Sequence, residues 1–461
     1  MVRQVVRPDP RGAPIRRYAA GIPASSPALS PALSESPMFP TDFRPSRRLV
    51  AGALVLSFAC GTLPAAWAAA APAPAAASAP ASAASATGPG NLPNGPTAAL
   101  LQTVTPPNLD ARSWLVLDLT SNQILAQHDA HQVEAPASLT KLMTAYLTFK
   151  AIKDGTIKRD QMVHESQKAW RTGGSRMFVD PRVPVSVDDL LMGMIVQSGN
   201  DAAMTLAQTV AGSEATFVSM MNSQAQQWGL QDTHFMDPTG LPDPGHHSSA
   251  HDLAVIATHI IRDFPQDFAR YFKVKEFTYN HITQPNRVSL LFTDPSVDGM
   301  KTGYTEHAGY CMITTALRKT PTGPRRVLTV VMGTPTEHAR VAESAVLLNW
   351  AYQNFDDVHL LQSGKALVQA PVWKGATSTV ALGSLSDVVV TVPRGDASRI
   401  QTTMQRNDPL VAPLAVGQRV GTLNVALAGK PIGSYPLQVL APVRQAGFFK
   451  RMWDAMRLAI K

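Results

Sequence analysis

Ser138 and Lys141 stand three positions apart in "APASLTKLMTAYL" (135–147), at the start of a helical pattern. Residues i and i+3 share a helix face, so the hydroxyl and the amine can meet. A serine hydroxyl is a weak nucleophile and needs a base; a lysine serves once burial and a nearby cation weaken its hold on a proton. Pro136 suits a helix start, which puts Ser138 in the first turn, where free backbone N–H groups and the positive dipole end favour an oxyanion. Alone, the pair also reads as two polar residues on a solvated helix face. Two further stretches bear on it: Ser198-Gly199-Asn200 in "MIVQSGNDAA", at the end of a helical run, and Lys301-Thr302-Gly303 in "VDGMKTGYTEHAGY", entering an edge-like strand. Each is by itself an ordinary turn or strand end.

The elements that must position these residues form a mixed pattern between about 106 and 356. "SWLVLDLTSNQILAQHDA" (113–130) alternates and turns at Thr120-Ser121-Asn122, as a hairpin does. Residues 138–152, 187–210, 213–228 and 250–263 read as helices, 308–317 and 325–333 as strands joined by "KTPTG", and 337–355 as a closing helix. One sheet built from both ends, with a helical subdomain inserted, satisfies this order: an α+β domain. Residues 357–443 carry short alternating runs between Gly and Pro ("DVVVTVP", "RVGTLNVALAG"), the pattern of a small β-sandwich with no convincing acid–base set.

Taken together, S-x-x-K, S-x-N and K-T-G in this order form the motif set of the penicillin-binding and serine β-lactamase fold. The chain resembles the low-molecular-mass penicillin-binding proteins of the 5 and 6 type, D-alanyl-D-alanine carboxypeptidases of peptidase family S11. The resemblance covers about 106–461, through "ASLTKLMTAY", "GGSRMFVD", "QSGNDAA", "THFMDPTGL", "VDGMKTGYTEHAGY" and "RVAESAVLLNW", then "PRGD", "VGTLNVALAGKPI" and the tail. It implies a serine peptidase that removes the terminal D-alanine of the peptidoglycan pentapeptide through an acyl-enzyme and is acylated by β-lactams. By position, Ser138 is the nucleophile, Lys141 its proton acceptor and Ser198 the relay to the leaving amine. Asn200 binds the peptide backbone. Lys301 stays charged, tunes Lys141 and attracts the terminal carboxylate, which Thr302 and Arg340 support; otherwise Arg340 is a surface helix charge. The backbone N–H groups of Ser138 and Tyr304 form the oxyanion hole. "WRTGGSRMFVD" (170–180) matches a mobile loop near the site or is simply a glycine-rich turn.

Three rivals stay in view. A class A β-lactamase would carry S-D-N and an E-x-x-L-N loop, and none is present between 200 and 300. A DD-endopeptidase would use the same acyl-enzyme on cross-links. A non-catalytic wall-binding scaffold would not need all the matched side chains. No cofactor or metal is expected. His247 and His251 in "GHHSSAHD" have zinc-like spacing, but Ser248 stands where H-E-x-x-H needs its glutamate.

The net charge of +8 sits at the ends. Residues 1–68 hold eight arginines against Asp9, Glu35 and Asp42, and 444–461 hold Arg444, Lys450, Arg451, Arg457 and Lys461 against Asp454. The nearly neutral body argues against nucleic acid as a partner. "RPSRRLVAGALVLSFACGTLPAAWAAA" (44–70) reads as an export signal ending in an A-x-A site at 66–68, with Met38 as the expected start. A lipoprotein role for Cys60 is disfavoured by Ser57, and twin-arginine export by the residues after "SRR". The signal region is thus 1–68, followed by an Ala/Pro/Ser-rich linker at 69–105. Cys311 reads as a small buried apolar residue. At 444–461, Phe449, Met452, Trp453, Met456 and Ile460 share one helical face opposite the cations. This is the pattern of an amphipathic anchor on a membrane surface, the alternative being a helix docked on its own domain. The expected location is the periplasmic face of the bacterial inner membrane.

Overall fold

The computed structural model describes residues 104–459. The expected export signal, most of the expected linker, Ile460 and Lys461 lie outside the described residues. Strands β1 (Ser113–Asp118) and β2 (Gln123–His128) form the expected hairpin. Asp118 Oδ1 closes its turn by accepting the N–H groups of Thr120 and Ser121 at 2.9 and 3.1 Å. Helix α1 (Lys141–Lys153) follows a 3-10 turn, Ala137–Thr140. Helices α2 (Val187–Val196), α3 (Asn200–Ala211), α4 (Glu214–Gln227) and α5 (Ala250–Asp263) complete the helical middle. Ser186, Ser213 and Ser249 start α2, α4 and α5 as side-chain N-caps. Strands β3 (Val297–Thr305), β4 (Gly309–Thr320) and β5 (Gly323–Thr334) then return, closed by α6 (Glu337–Asn354).

The five strands form one antiparallel sheet in the order β2-β1-β5-β4-β3, which unites the two ends of the domain. Alternate residues point to opposite faces. Leu115, Leu117, Leu328 and Val330 join the core shared with α1, α2 and α5. Trp114, Val116, Val327 and Val331 join a second core under α6. Burial on both faces explains the near-continuous apolar runs within β1 and β5. It also leaves β3, with its Lys-Thr-Gly, as an edge beside the helical subdomain.

The run 187–210 is not one continuous helix. It breaks at Gln197–Gly199, where Ser198 takes a left-handed backbone conformation (φ 70°). Such a conformation costs a non-glycine residue about 1–3 kcal/mol and persists only where the surroundings impose it. Here Gly199 N–H donates to Gly193 O (3.1 Å), Asn200 N–H to Ser175 O (2.7 Å), and Gln197 Nε2 to Arg176 O (3.0 Å). The break is held by tertiary ties, which helical periodicity does not reveal.

After α6 the chain enters a β-sandwich. Strands β6 (Phe355–Leu361) and β9 (Val388–Pro393) pair in one sheet. The other contains β7 (Ala366–Trp373), β8 (Thr379–Gly383), β10 (Ile400–Arg406), β11 (Leu410–Val411), β12 (Arg419–Leu427) and β13 (Lys430–Val439), in the order β10-β12-β13-β8-β7-β11. Buried Arg325 of β5 bridges Asp118 of β1 (2.6 Å) and Asp357 of β6 (3.2 Å), tying the sandwich to the first sheet. The last helix, α7 (Phe448–Ala459), keeps Asp454 inward, where it accepts Lys374 N–H at 2.7 Å. Its aromatic face is outward: Phe449 is 81% and Trp453 58% exposed.

Candidate active site

The three motifs converge. The turn carrying Ser138 lies against β3 so closely that a Cβ on Gly303 would stand 3.0 Å from Pro136 O and 3.2 Å from Ala137 Cβ. Lys141 Nζ donates to Ser138 Oγ at 2.8 Å, the contact that i, i+3 spacing allows. Ser138 itself sits in the 3-10 turn before α1 rather than in the α-helix proper. Across the cleft, Lys301 Nζ donates to Ser198 Oγ at 2.8 Å and to Thr302 O at 3.0 Å. The strained turn at Ser198 thus aims its hydroxyl at the second lysine.

Both lysines are buried, Lys141 1% and Lys301 2% exposed. Burial pushes Lys141 down to about 7; Asp237 and Asp201 resist the shift and Arg287 adds to it. Burial first, then the charges of Lys141, Arg287 and Arg340, holds Lys301 well below its ordinary range. Two buried amines in one cleft disfavour double protonation. Burial is likewise the largest cause of the downward shift at Lys141.

Asn200 opens α3 and donates Nδ2–H to Gly173 O at 2.6 Å, while its buried Oδ1 has no protein partner. Thr302 is buried beside Lys301 on β3. Arg340 is not a surface charge: it is buried on α6, donates to Gly303 O at 3.3 Å, pairs with Glu337 and lies 5.4 Å from the Tyr310 ring centroid. Tyr304 exposes its ring, packed on Tyr310 with centroids 4.3 Å apart, and contributes backbone at the edge strand. The 170–180 loop is anchored at the site's corner by Asp201, whose carboxylate accepts N–H groups from Met177 (2.9 Å), Phe178 (2.9 Å) and Val179 (3.3 Å). Cys311 is buried within the sheet, and burial pushes its thiol up to about 11. His247 pairs across to His234 and His251 stacks on His131.

Sequence reasoning passed over several residues. Thr239 O accepts Lys141 Nζ at 2.7 Å, opposite Ser138. Arg287 Nε donates to Gln197 O at 3.0 Å, bracing the Ser198 turn. "DPTG" is a turn signature, and that was the available signal for Thr239; Arg287 carried none.

Comparison with known proteins shows the family. Residues 101–336 match the peptidase S11 family profile, described as D-alanyl-D-alanine carboxypeptidase. The chain belongs to peptidase family S11. Residues 355–445 match the profile of the penicillin-binding protein 5 C-terminal domain. Among S11 relatives, D-alanyl-D-alanine carboxypeptidase DacA of Haemophilus influenzae is 42% identical over 363 residues, covering 78% of this chain and 91% of the relative. DacC of Escherichia coli is 42% identical over 368 residues, with the same coverage of 78% and 91%. The crystal structure of penicillin-binding protein 5 from Haemophilus influenzae superposes with a TM-score of 0.70 at 41% identity, covering 74% of this chain and all of that one.

Proposed function

We propose that this S11 protein removes the terminal D-alanine from peptidoglycan pentapeptides by a covalent mechanism run by Ser138 and Lys141. The observation that carries the reading is the 2.8 Å contact between Ser138 Oγ and a buried lysine held near neutrality. Neutral Lys141 takes the Ser138 proton as Oγ attacks the carbonyl of the D-Ala-D-Ala bond. The oxyanion lies against the backbone N–H groups of Ser138 and Tyr304. The incoming C-terminal carboxylate supplies the negative charge that lets Lys301 hold a proton, with Thr302 and Arg340 beside it. The proton that Lys141 took then passes by way of Ser198 to the departing D-alanine amine, while Lys301 keeps its own beside the carboxylate and Asn200 holds the peptide backbone. Water cleaves the ester and releases the shortened stem.

β-Lactams enter the same chemistry and stay as long-lived esters. The two carboxylates that act on Lys141 are both committed. Asp201 accepts backbone N–H groups of the 177–179 segment, and Asp237 accepts those of Thr239 and Gly240. Neither is free to activate a deacylating water, which favours a penicillin target over a β-lactamase.

Export through residues 44–70 would deliver the enzyme to the periplasm. The outward aromatic face of α7, with Lys450, Arg451 and Arg457 alongside, supports peripheral attachment to an anionic membrane surface. Among the described residues no helix is long and apolar enough to cross a membrane. Incubation with a pentapeptide tests the activity: free D-alanine is expected, whereas conversion of cross-linked dimers alone would make the protein an endopeptidase.

A further inference from the structure

The segment Met236–Gly240 takes no chemical step, yet it controls the surroundings of Lys141. Asp237 Oδ1 accepts Thr239 N–H (2.5 Å), Thr239 Oγ1–H (2.6 Å) and Gly240 N–H (2.8 Å), closing an Asx turn. The turn presents the Thr239 carbonyl to Lys141 Nζ at 2.7 Å and the Pro238 carbonyl to Thr144 Oγ1 at 2.7 Å. It also backs the nucleophile: Gly240, at φ 85°, lies so near Ala137 that a Cβ would stand 1.8 Å from the Ala137 carbonyl oxygen. The second oxygen of Asp237 faces His246 Nδ1 at 3.4 Å. His246 Nε2 is 2.8 Å from Thr140 Oγ1, the residue before Lys141.

We propose, on the assignment of Ser138 and Lys141 made above, that Asp237 is a positioning residue for acylation. Its turn aims the carbonyl that holds Lys141 Nζ on Ser138, and its carboxylate places a negative charge two residues from that carbonyl. The groups that face Lys141 are few. Asp237 and Asp201 favour its charged form, Asp237 more strongly, while Arg287 opposes it and Lys301 shares the cleft. Asp237 is faced by His246. Lys168, Arg171 and Glu214 share with it and Thr239 the lining of a cavity of about 540 Å³. Despite burial, hydrogen bonds from His246 and Thr239 hold the Asp237 carboxyl down at about 2, so its charge is present throughout the working range.

The test is the acylation rate of the full-length enzyme by benzylpenicillin between about pH 5 and 9, with the adduct mapped. Wild type should show an acidic limb set by Lys141. Asp237→Asn keeps an oxygen for the turn but loses the charge. Its limb should move down by about one pH unit, which at about pH 6 raises the neutral amine roughly fivefold. Asp237→Glu keeps the charge but misplaces the turn, so its plateau should fall while the limb stays. An Asn variant whose limb superimposes on wild type, or a Glu variant whose limb moves, overturns the proposal. Wild type acylated away from Ser138 overturns instead the assignment beneath it.

Discussion

The cleft and the tail break the rule of burial in opposite senses. The cleft buries two lysines, Ser198 and an asparagine; the tail helix leaves Phe448, Phe449, Met452, Trp453 and Met456 in water. Between them, apolar residues fill both faces of the first sheet. A buried polar group or an exposed apolar patch is the informative deviation, and the two deviations here differ in kind. Buried amines gain reactivity from desolvation, whereas exposed aromatics gain affinity for another apolar phase. Arg325 supplies the contrast: it too is a buried cation, but Asp118 and Asp357 pair with it, and the result is attachment of one domain to another.

That contrast can be broken experimentally. The largest effect is expected from Lys141→Met, which removes the base and should slow penicillin acylation by about 10²–10⁴-fold while the protein remains folded; a smaller loss would put the base elsewhere. Arg325→Leu should do the reverse. It leaves buried Asp118 and Asp357 unpaired and should cost about 3–5 kcal/mol in urea unfolding, with acylation of the folded fraction retained. Equal losses of activity and stability in both variants would erase the distinction between reactive and structural buried cations.

A smaller effect is expected at the tail. Phe449→Glu with Trp453→Glu should lower binding to anionic vesicles by at least about tenfold without changing acylation in solution; unchanged vesicle binding would return the helix to a structural role. The smallest effect sharpens the electrostatic side. Lys141 must be neutral to act, and burial places it at about 7. Acylation should therefore fall as pH drops below about 7, approaching tenfold per unit. A flat profile from about pH 5 to 8 would mean that burial does not set the base.

Much of this was legible in the sequence because it is local. The hairpin alternates, α2, α4, α5 and α6 begin at Ser or Thr caps, and Ser138–Lys141 spacing is itself a contact. What escaped depends on distant ties. Nothing around Ser198 announces a left-handed residue, because the groups that impose it come from Gly193, Ser175 and Arg176. How deeply the folded cleft excludes water from Lys141 and Lys301 is set by residues far from either in the chain. Asp237 was visible as part of a turn, but its tie to Lys141 spans nearly a hundred residues. Arg325, the bridge between domains, resembles any strand-edge arginine until β6 brings Asp357 to it.

The most direct measurement is the intact mass of the protein after benzylpenicillin, followed by mapping of the modified peptide. One penicilloyl group per chain is expected, on Ser138, persisting through removal of excess drug and absent in Ser138→Ala. An unmodified wild-type mass, or an adduct that survives Ser138→Ala, would contradict the account.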